Sequence, residues 1–429
     1  MKVFISHSQK DKRYAELISS ALKSSGHELC FDPDNMNIGD NILAKINEGF
    51  KVAEAFIIIV SESTLQDEWL MTEFSKIVFL GFSQNSPLII SVLVDGSQVP
   101  QYLSGYPSVK LAKDGVNKIN NIFTKSTDER FYVKKKEEKD KHIESLKWLI
   151  KNDRLTLVCG AGVSKGAGIP DWDDLLAELL KSAMNRNNIS NEVTNPNEFT
   201  RRYKISAIVF GKFLKQILEA NFFEELRNCL YSKNPITCPT IDAIVDLVRQ
   251  TKRVNPIDSI ITFNFDSLLE ENLEKKGIKH KVIYSEGIKY SADELPIYHV
   301  HGYMPKRGEI SEKNGIIFSE DAYHSQFIDP YSWSNIILLN KLSQSTCLFI
   351  GISLSDPNLR RLLDVSYRKN PNVFNHFIIE KIPKLSEKHG AVDNIASHLK
   401  EQDSNGLGLN IIWIDDYNEI PEVLNKTTN

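Results

Sequence analysis

Cysteine is scarce in this sequence and never closely paired. The five present, Cys30, Cys159, Cys229, Cys238 and Cys347, are odd in number and form no C-x-x-C pair anywhere in 429 residues. That argues against a disulfide framework and a four-cysteine zinc site, and it predicts a reducing, cytoplasmic setting with no metal centre. Long apolar runs are missing too. No stretch reaches the roughly 18 apolar residues of a membrane span, and the opening MKVFISHSQKDK turns charged after one short apolar run, so neither a membrane nor a secretory signal is expected. Nor does one sign of charge dominate. Lys and Arg number 52 against 56 Asp and Glu, a net charge of -4 with the basic residues spread along the chain, so nucleic acid is not an expected partner.

What is there suits folded protein: 41% of residues are hydrophobic and 25% charged, in a chain too long for one ordinary domain. Two α/β domains are expected. In the first, residues 1–125, Val3–Ser6 reads as a strand, Ala15, Ile18, Ala21 and Leu22 recur at helical spacing, and a second strand follows at His27–Phe31. The loop DPDNMNIGDN leads to a helix near Ile42–Phe50. The β-branched run Ala55–Val60 reads as a central parallel strand, followed by a helix over Trp69–Phe79 and a strand over Pro87–Val94. A charged segment with KKKEEKDK at its centre reads as a linker or exposed helix start over 126–147. The second α/β pattern covers 148–410, with strands at LTLVCG, Ser259–Phe263, Ile297–Val300 and Leu348–Gly351, and 411–429 reads as a C-terminal tail.

The run LVCGAGVSKGAGIPDW joins a strand to a helix through Gly160, Gly162, Gly166 and Gly168. Glycines at such a turn let backbone approach a pyrophosphate closely, and the helix start offers free N–H groups. The same spacing also serves an ordinary strand-to-helix turn, and it is not the GxGxxG pattern with an acidic residue about 20 positions on. Three later segments narrow the reading. SIITFNFDSLL puts Asn264 and Asp266 at the C-terminal end of a strand, where α/β sheets hold ligands. IYHVHGY carries His299 and His301 on one strand face, and LFIGISLSDPNLR ends another strand with Gly351 and Ser353. Asp356 reads as a cap for the helix that contains Leu359 and Leu362, and His299 reads equally as a structural residue.

GAGVS with GIPDW, TFNFD, VHG and GISLSDP, in this order, resemble the NAD-binding motifs of the sirtuin family over about residues 140 to 410. The resemblance implies a Rossmann-like domain in which Gly160, Ala161, Gly162 and Ser164 contact phosphate and ribose, with Gly351 and Ser353 beside them. It makes Asn264 the holder of the nicotinamide ribose, Asp266 the partner of the nicotinamide amide and His301 the general base. An imidazole with an ordinary pKa near 6.5 suits that task at neutral pH. A structural role for Asp266 remains open beside the catalytic one. The departure matters as well: the zinc module of protein-deacylating sirtuins needs two C-x-x-C pairs, and only Cys347 follows His301. Plain NAD+ cleavage is then the simpler expectation, with NAD+ as substrate and no further cofactor. Sirtuin-like domains of this zinc-free kind resemble NAD-depleting effectors of bacterial antiphage defence.

In the first domain VFISHS with KDK, then FDPDNMNIGD, FIIIVSES and EWLMTEF, resemble a TIR domain, which implies a flavodoxin-like fold. Trp69 and Glu73 stand at i and i+4, on one helix face. In NAD-cleaving TIR domains the Glu of this motif is catalytic; here that is Glu73, with Trp69 able to stack on a ring and Phe4, Ser6 and Asp32 as further pocket candidates. Glutamate in a first helical turn also serves the helix dipole alone. The expectation is an NAD+ glycohydrolase of antiphage defence whose engine is the sirtuin-like domain, assembled as a homo-oligomer through the TIR domain and set off by a phage-derived trigger. The alternative makes the TIR domain the NADase or a cyclic ADP-ribose synthase and the sirtuin-like domain a nucleotide sensor.

Overall fold

The computed structural model describes residues 1–30, 52–65, 88–94, 96–99, 103, 106–111, 118–119, 127–152, 154–186, 206–251, 257–369, 376–384 and 391–427. Two compact units divide the chain, residues 1–135 with 383–400 and residues 136–382 with 401–429.

The first unit is built on β1 (Lys2–Ser6), β2 (Glu28–Leu29), β3 (Ala55–Val60), β4 (Leu88–Leu93) and β5 (Ser108–Lys110). They lie in the order β2-β1-β3-β4-β5, every pair parallel, a flavodoxin-like order with its switch point between β1 and β3. The two-residue period of a strand explains why β3 is buried throughout. Ala55, Ile57 and Ile59 join one apolar cluster with Ile18 and Leu22 of the helix Lys12–Ser24, while Phe56, Ile58 and Val60 join another with Phe4 and Leu103. At the switch point the buried Asp11 ties the ends of β1 and β3 together. Its Oδ2 accepts the hydroxyls of Ser8 (2.5 Å), Ser61 (2.6 Å), Thr64 (3.0 Å) and Ser63 (3.3 Å). Burial pushes the Asp11 carboxyl up, and the four hydroxyls outweigh it and hold the group below the ordinary range.

The second unit holds β6 (Leu155–Cys159), β7 (Ile257–Thr262), β8 (His280–Ile283), β9 (Leu295–His299), β10 (Thr346–Ile350), β11 (His376–Lys381) and β12 (Leu409–Ile414). The order β12-β11-β10-β6-β7-β9-β8 is parallel throughout. Its switch point lies between β6 and β10, because the chain passes from β6 to β7 on one side and returns to β10 on the other. Register then decides what meets there. Cys159 pairs with both Ile350 and Thr262, and Thr262 pairs with His299, so the residues that follow these four strands leave the sheet at one level.

Two segments depart from the expected organisation. The charged stretch read as a linker or exposed helix start is, from Thr127, a continuous helix, Thr127–Asn152, and its later turns are not exposed but bury Ile143, Leu146 and Ile150 in the core of the second unit. The spacing of those three residues is helical, so a charged face and a packed face share one element. The residues read as a tail, 411–429, instead hold most of β12 and the helix Ile420–Lys426, which adds Ile420, Val423 and Leu424 to the same core. Their apolar content is that of a core-facing strand and helix. No helix among the described residues is long and apolar enough to cross a membrane.

Glycine is required where β6 and β10 end. Gly160 N–H donates to Ile350 O (3.0 Å) and Gly162 N–H to Gly351 O (2.8 Å). A Cβ on Gly160 would meet Gly351 O at 2.6 Å, and one on Gly351, at φ +60°, would meet Val163 N at 2.6 Å. Gly277 has a similar φ of +67° but open space around it. Gly351→Ala should therefore cost roughly 2–5 kcal/mol, combining backbone strain with a steric clash, whereas Gly277→Ala should cost about 1 kcal/mol. Denaturant melts of both variants check this, and equal costs would refute the close-approach account.

Candidate functional site

The site assembles at the C-terminal edge of the second sheet, beside the β6/β10 switch point, where ligands of open α/β sheets bind. From the short helix Gly162–Lys165 that follows β6 comes Ser164, fully buried, while Ala161 and Gly162 remain exposed. Past the end of β7, Asn264 Nδ2 donates to Ser164 Oγ (3.3 Å), and Ser164 Oγ donates to Asp266 Oδ1 (3.1 Å). Asp266 Oδ1 also accepts the Leu268 N–H at 3.1 Å, at the start of the helix Leu268–Lys275. Its Oδ2 is buried with no hydrogen-bond partner. So Ser164, Asn264 and Asp266 form one connected group, with Asn264 on its outer side.

Asp266 pays electrostatically for that position. Burial, with the nearby Glu270 carboxylate adding to it, pushes the carboxyl up to about 6, against smaller opposing pulls from Leu268 N–H, Ser164 and His299. Glu270 is itself buried, and its Oε1 stands 2.6 Å from His299 Nε2. His299 Nδ1 lies 2.9 Å from the Asn264 carbonyl oxygen. With both ring nitrogens engaged, His299 ties the Asn264 backbone to Glu270, as a structural residue would.

His301, two residues on, lies between Phe263 and Asp356. Its side chain is 16% exposed, its ring meets Phe263 edge-to-face at 4.8 Å, and its Nε2 lies 3.5 Å from Asp356 Oδ2. Burial holds the imidazole below its ordinary value, and Asp356 opposes that shift. The loop that carries it is fixed: His301 O accepts the Ile317 N–H at 2.8 Å, and Gly302, at φ +98°, has no room for a Cβ beside Gly315. Asp356 is the expected helix cap as well, since its Oδ1 accepts the Leu359 N–H at 2.9 Å.

Other expected residues fare differently. Gly160, Gly162 and Gly351 pack against one another, whereas Ser353 is exposed and its hydroxyl pairs with Ser355 at 2.6 Å. In the first unit Phe4 is a core residue, 5.8 Å from Phe56 between ring centres, and Ser6 is buried. Asp32, Trp69 and Glu73 lie outside the described residues.

Residues 3–122 match the TIR domain family, and residues 258–401 match the SIR2-like domain family. The chain carries a TIR domain and a SIR2-like domain. Among curated proteins it is similar to "NAD(+) hydrolase ThsA" of Enterococcus faecium, 25% identical over 64% of this chain and 55% of that protein. Its counterpart in Bacillus cereus is 23% identical over 65% of this chain and 55% of that protein. A "Probable 2' cyclic ADP-D-ribose synthase TcpO" of Methanobrevibacter olleyae is 32% identical over 19% of this chain and 24% of that protein. The chain thus spans about half the length of the curated hydrolases it matches. A solved structure titled "Structural Basis for the Mechanism and Regulation of Sir2 Enzymes" aligns at 15% identity and a TM-score of 0.33, over 68% of this chain and 98% of that one; the fold assignment rests on strand order and not on it.

Within the SIR2-like domain, reading the sequence missed Glu270 and the second oxygen of Asp356. Glu270 had a signal, since it follows Asp266 by one helical turn and so can share its surroundings. The Asp356 contact had none, because it joins residues 55 positions apart by tertiary packing alone.

Asp266 makes the site's stability depend on pH. Its folded value, about 6, lies above its unfolded value near 3.8, so between those limits the folded state holds a proton that the unfolded state has lost. Stability from this group therefore falls as pH rises through that window, and the penalty is fully present above it. Asp266→Asn keeps an oxygen for Ser164 and Leu268 N–H and removes the charge. It should flatten the pH dependence and raise stability at neutral pH by about 1–3 kcal/mol. Thermal melts of both proteins across acid to neutral pH test this; a variant less stable than wild type at neutral pH would contradict it.

Proposed function

We propose that the SIR2-like domain is an NAD+ glycohydrolase, and the observation that carries this is His301. It is an imidazole that burial keeps neutral, at the same sheet edge as the Ser164–Asn264–Asp266 group and against Phe263, the chain neighbour of Asn264. The reaction breaks the bond between ribose C1' and the nicotinamide nitrogen, and water supplies the new oxygen at C1'. One proton is released, and neutral His301 receives it from the attacking water or a ribose hydroxyl. Asn264 holds the nicotinamide ribose, and Asp266, through its free Oδ2, meets the nicotinamide amide. The backbone of Ala161 and Gly162 faces the pyrophosphate where the glycine loop opens to solvent, with Gly160 and Gly351 fixing its shape and Ser353 at its rim. Preformed polar groups of this kind act on developing charge without reorganising during the reaction.

The same reading makes the protein a cytoplasmic NAD+-depleting effector of antiphage defence, with the TIR domain bringing copies together after a phage-derived trigger. The names of the hydrolases it resembles support the activity. The synthase named among its relatives favours a second reading, in which Glu73 and Trp69 of the TIR domain act on NAD+ and the SIR2-like domain binds the product.

Nicotinamide release from NAD+, followed by chromatography at dilute and high protein concentration, separates the two. His301→Ala should lower turnover by about 10²–10⁴-fold, and Glu73→Gln should leave turnover at high concentration intact. The reverse pattern would transfer the chemistry to the TIR domain, and no release from wild type at any concentration would sink both.

A further inference from the structure

Asp356 does more than a helix cap requires. A cap needs one oxygen, and Ser, Thr or Asn supplies it as well as Asp. Here Oδ1 alone performs that task and is doubly occupied, accepting the Leu359 N–H (2.9 Å) and the Tyr323 O–H (3.0 Å). Tyr323 is itself held, its oxygen accepting the Asn358 N–H at 2.8 Å. Two donors on one oxygen fix the plane of the carboxylate, and its Oδ2 lies 3.5 Å from His301 Nε2, a buried nitrogen that makes no hydrogen bond of its own. The imidazole has little freedom to turn from it, with Phe263 against its face or edge at 4.8 Å and its backbone pinned by Ile317 and Gly302.

We propose that Asp356, locked by Tyr323 and its own helix, is the positioning residue of the general base: it selects the His301 tautomer with the proton on Nε2 and leaves Nδ1 to take the substrate's proton. The proposal rests on the NAD+-cleaving reading of this domain. A base oriented by a third group in this way gains a fixed direction and a counter-charge for the imidazolium that forms. No bond of the substrate touches Asp356; the proton removed from water or sugar resides on Nδ1, and Nε2–H faces the carboxylate throughout.

Charged and titratable groups on the two helices that hold Asp356 include two whose contacts bear on it. The helix Pro357–Lys369 brings Arg361 in addition to its cap, with its guanidinium 4.8 Å over the Phe327 ring. The helix Glu320–Ile328 brings Tyr323, whose hydroxyl burial and Asp356 push up and keep protonated. Asp266, Glu270 and His299 belong to the neighbouring group described above. Of all these, Asp356 is the one that raises the affinity of His301 for a proton.

The test has an arm that needs no turnover. In the full chain, the C2 proton of His301, assigned by its loss in His301→Ala, is titrated by NMR in wild type and Asp356→Asn. Asparagine still caps the helix and accepts from Tyr323, so melting should shift by no more than a few degrees, while the pKa of His301 should fall by about one unit. An unchanged pKa overturns the proposal. Asp356→Ser, an uncharged cap of another shape, repeats the measurement should the first variant fail to fold. The second arm is nicotinamide release: Asp356→Asn should lower kcat by about 10²-fold at unchanged KM and move the acid limb of the pH profile to lower pH, with Tyr323→Phe giving a smaller loss. Wild-type kcat and pH profile in Asp356→Asn, alongside an inactive His301→Ala, would reject the proposal and leave the NAD+ reading standing. Absence of release from wild type would reject the NAD+ reading, and the titration would still decide the pairing.

Discussion

The backbone contact between the ends of β6 and β10 is the constraint on which the second unit depends. Gly160 and Gly162 donate to Ile350 and Gly351 across a gap that admits no side chain. Each fully buried Ile or Leu in the surrounding strands contributes roughly 1.5–3 kcal/mol, but such burial is non-directional and would tolerate a looser approach of the two loops. The paired hydrogen bonds and the absence of Cβ atoms set the distance. That distance brings the glycine turn, the Asn264 segment and the GISLSDP loop to one edge of the sheet, level with one another because the strands run in register.

At that edge, polar groups are buried by degrees. Ser164 and Asp266 are buried and hydrogen-bonded to each other, Asn264 and His301 are partly exposed, and Ala161 and Gly162 reach solvent. A carboxyl raised towards neutrality and an imidazole held below its ordinary value both follow from this one gradient of desolvation. Strain of this sort destabilises the fold, and its concentration at one edge of the sheet is what makes that edge the proposed site. The TIR domain handles its buried acid in the opposite way. Asp11 is surrounded by hydroxyls that stabilise its charge, as suits a residue that clasps two loops together.

Much of this was legible in the residues. Strands such as Ala55–Val60 and LTLVCG announced themselves by unbroken apolar runs, which parallel strands covered on both faces require. β5, β8, β11 and β12 were not read: the first three are short or carry polar residues at their ends, and β12 was taken for tail because it comes after the last motif. The charged face of Thr127–Asn152 likewise masked its apolar stripe. Asn264, Asp266 and His301 stood out as candidates because polar residues at a strand end are rarely needed for packing alone, and the glycines because a turn between two strand ends needs close approach.

The sequence by itself determined the central strands, the two α/β patterns and the residues capable of chemistry, since these follow from local periodicity and from functional groups that do not depend on distant neighbours. Only the tertiary structure decided which of them meet. Strand order set β10 beside β6, the glycine contact closed the gap, and a helix cap some 55 residues from His301 was thereby turned to face it. The physical reason is that register and desolvation are properties of the packed sheet: a carboxylate in the chain has no direction and an ordinary pKa until other elements surround it.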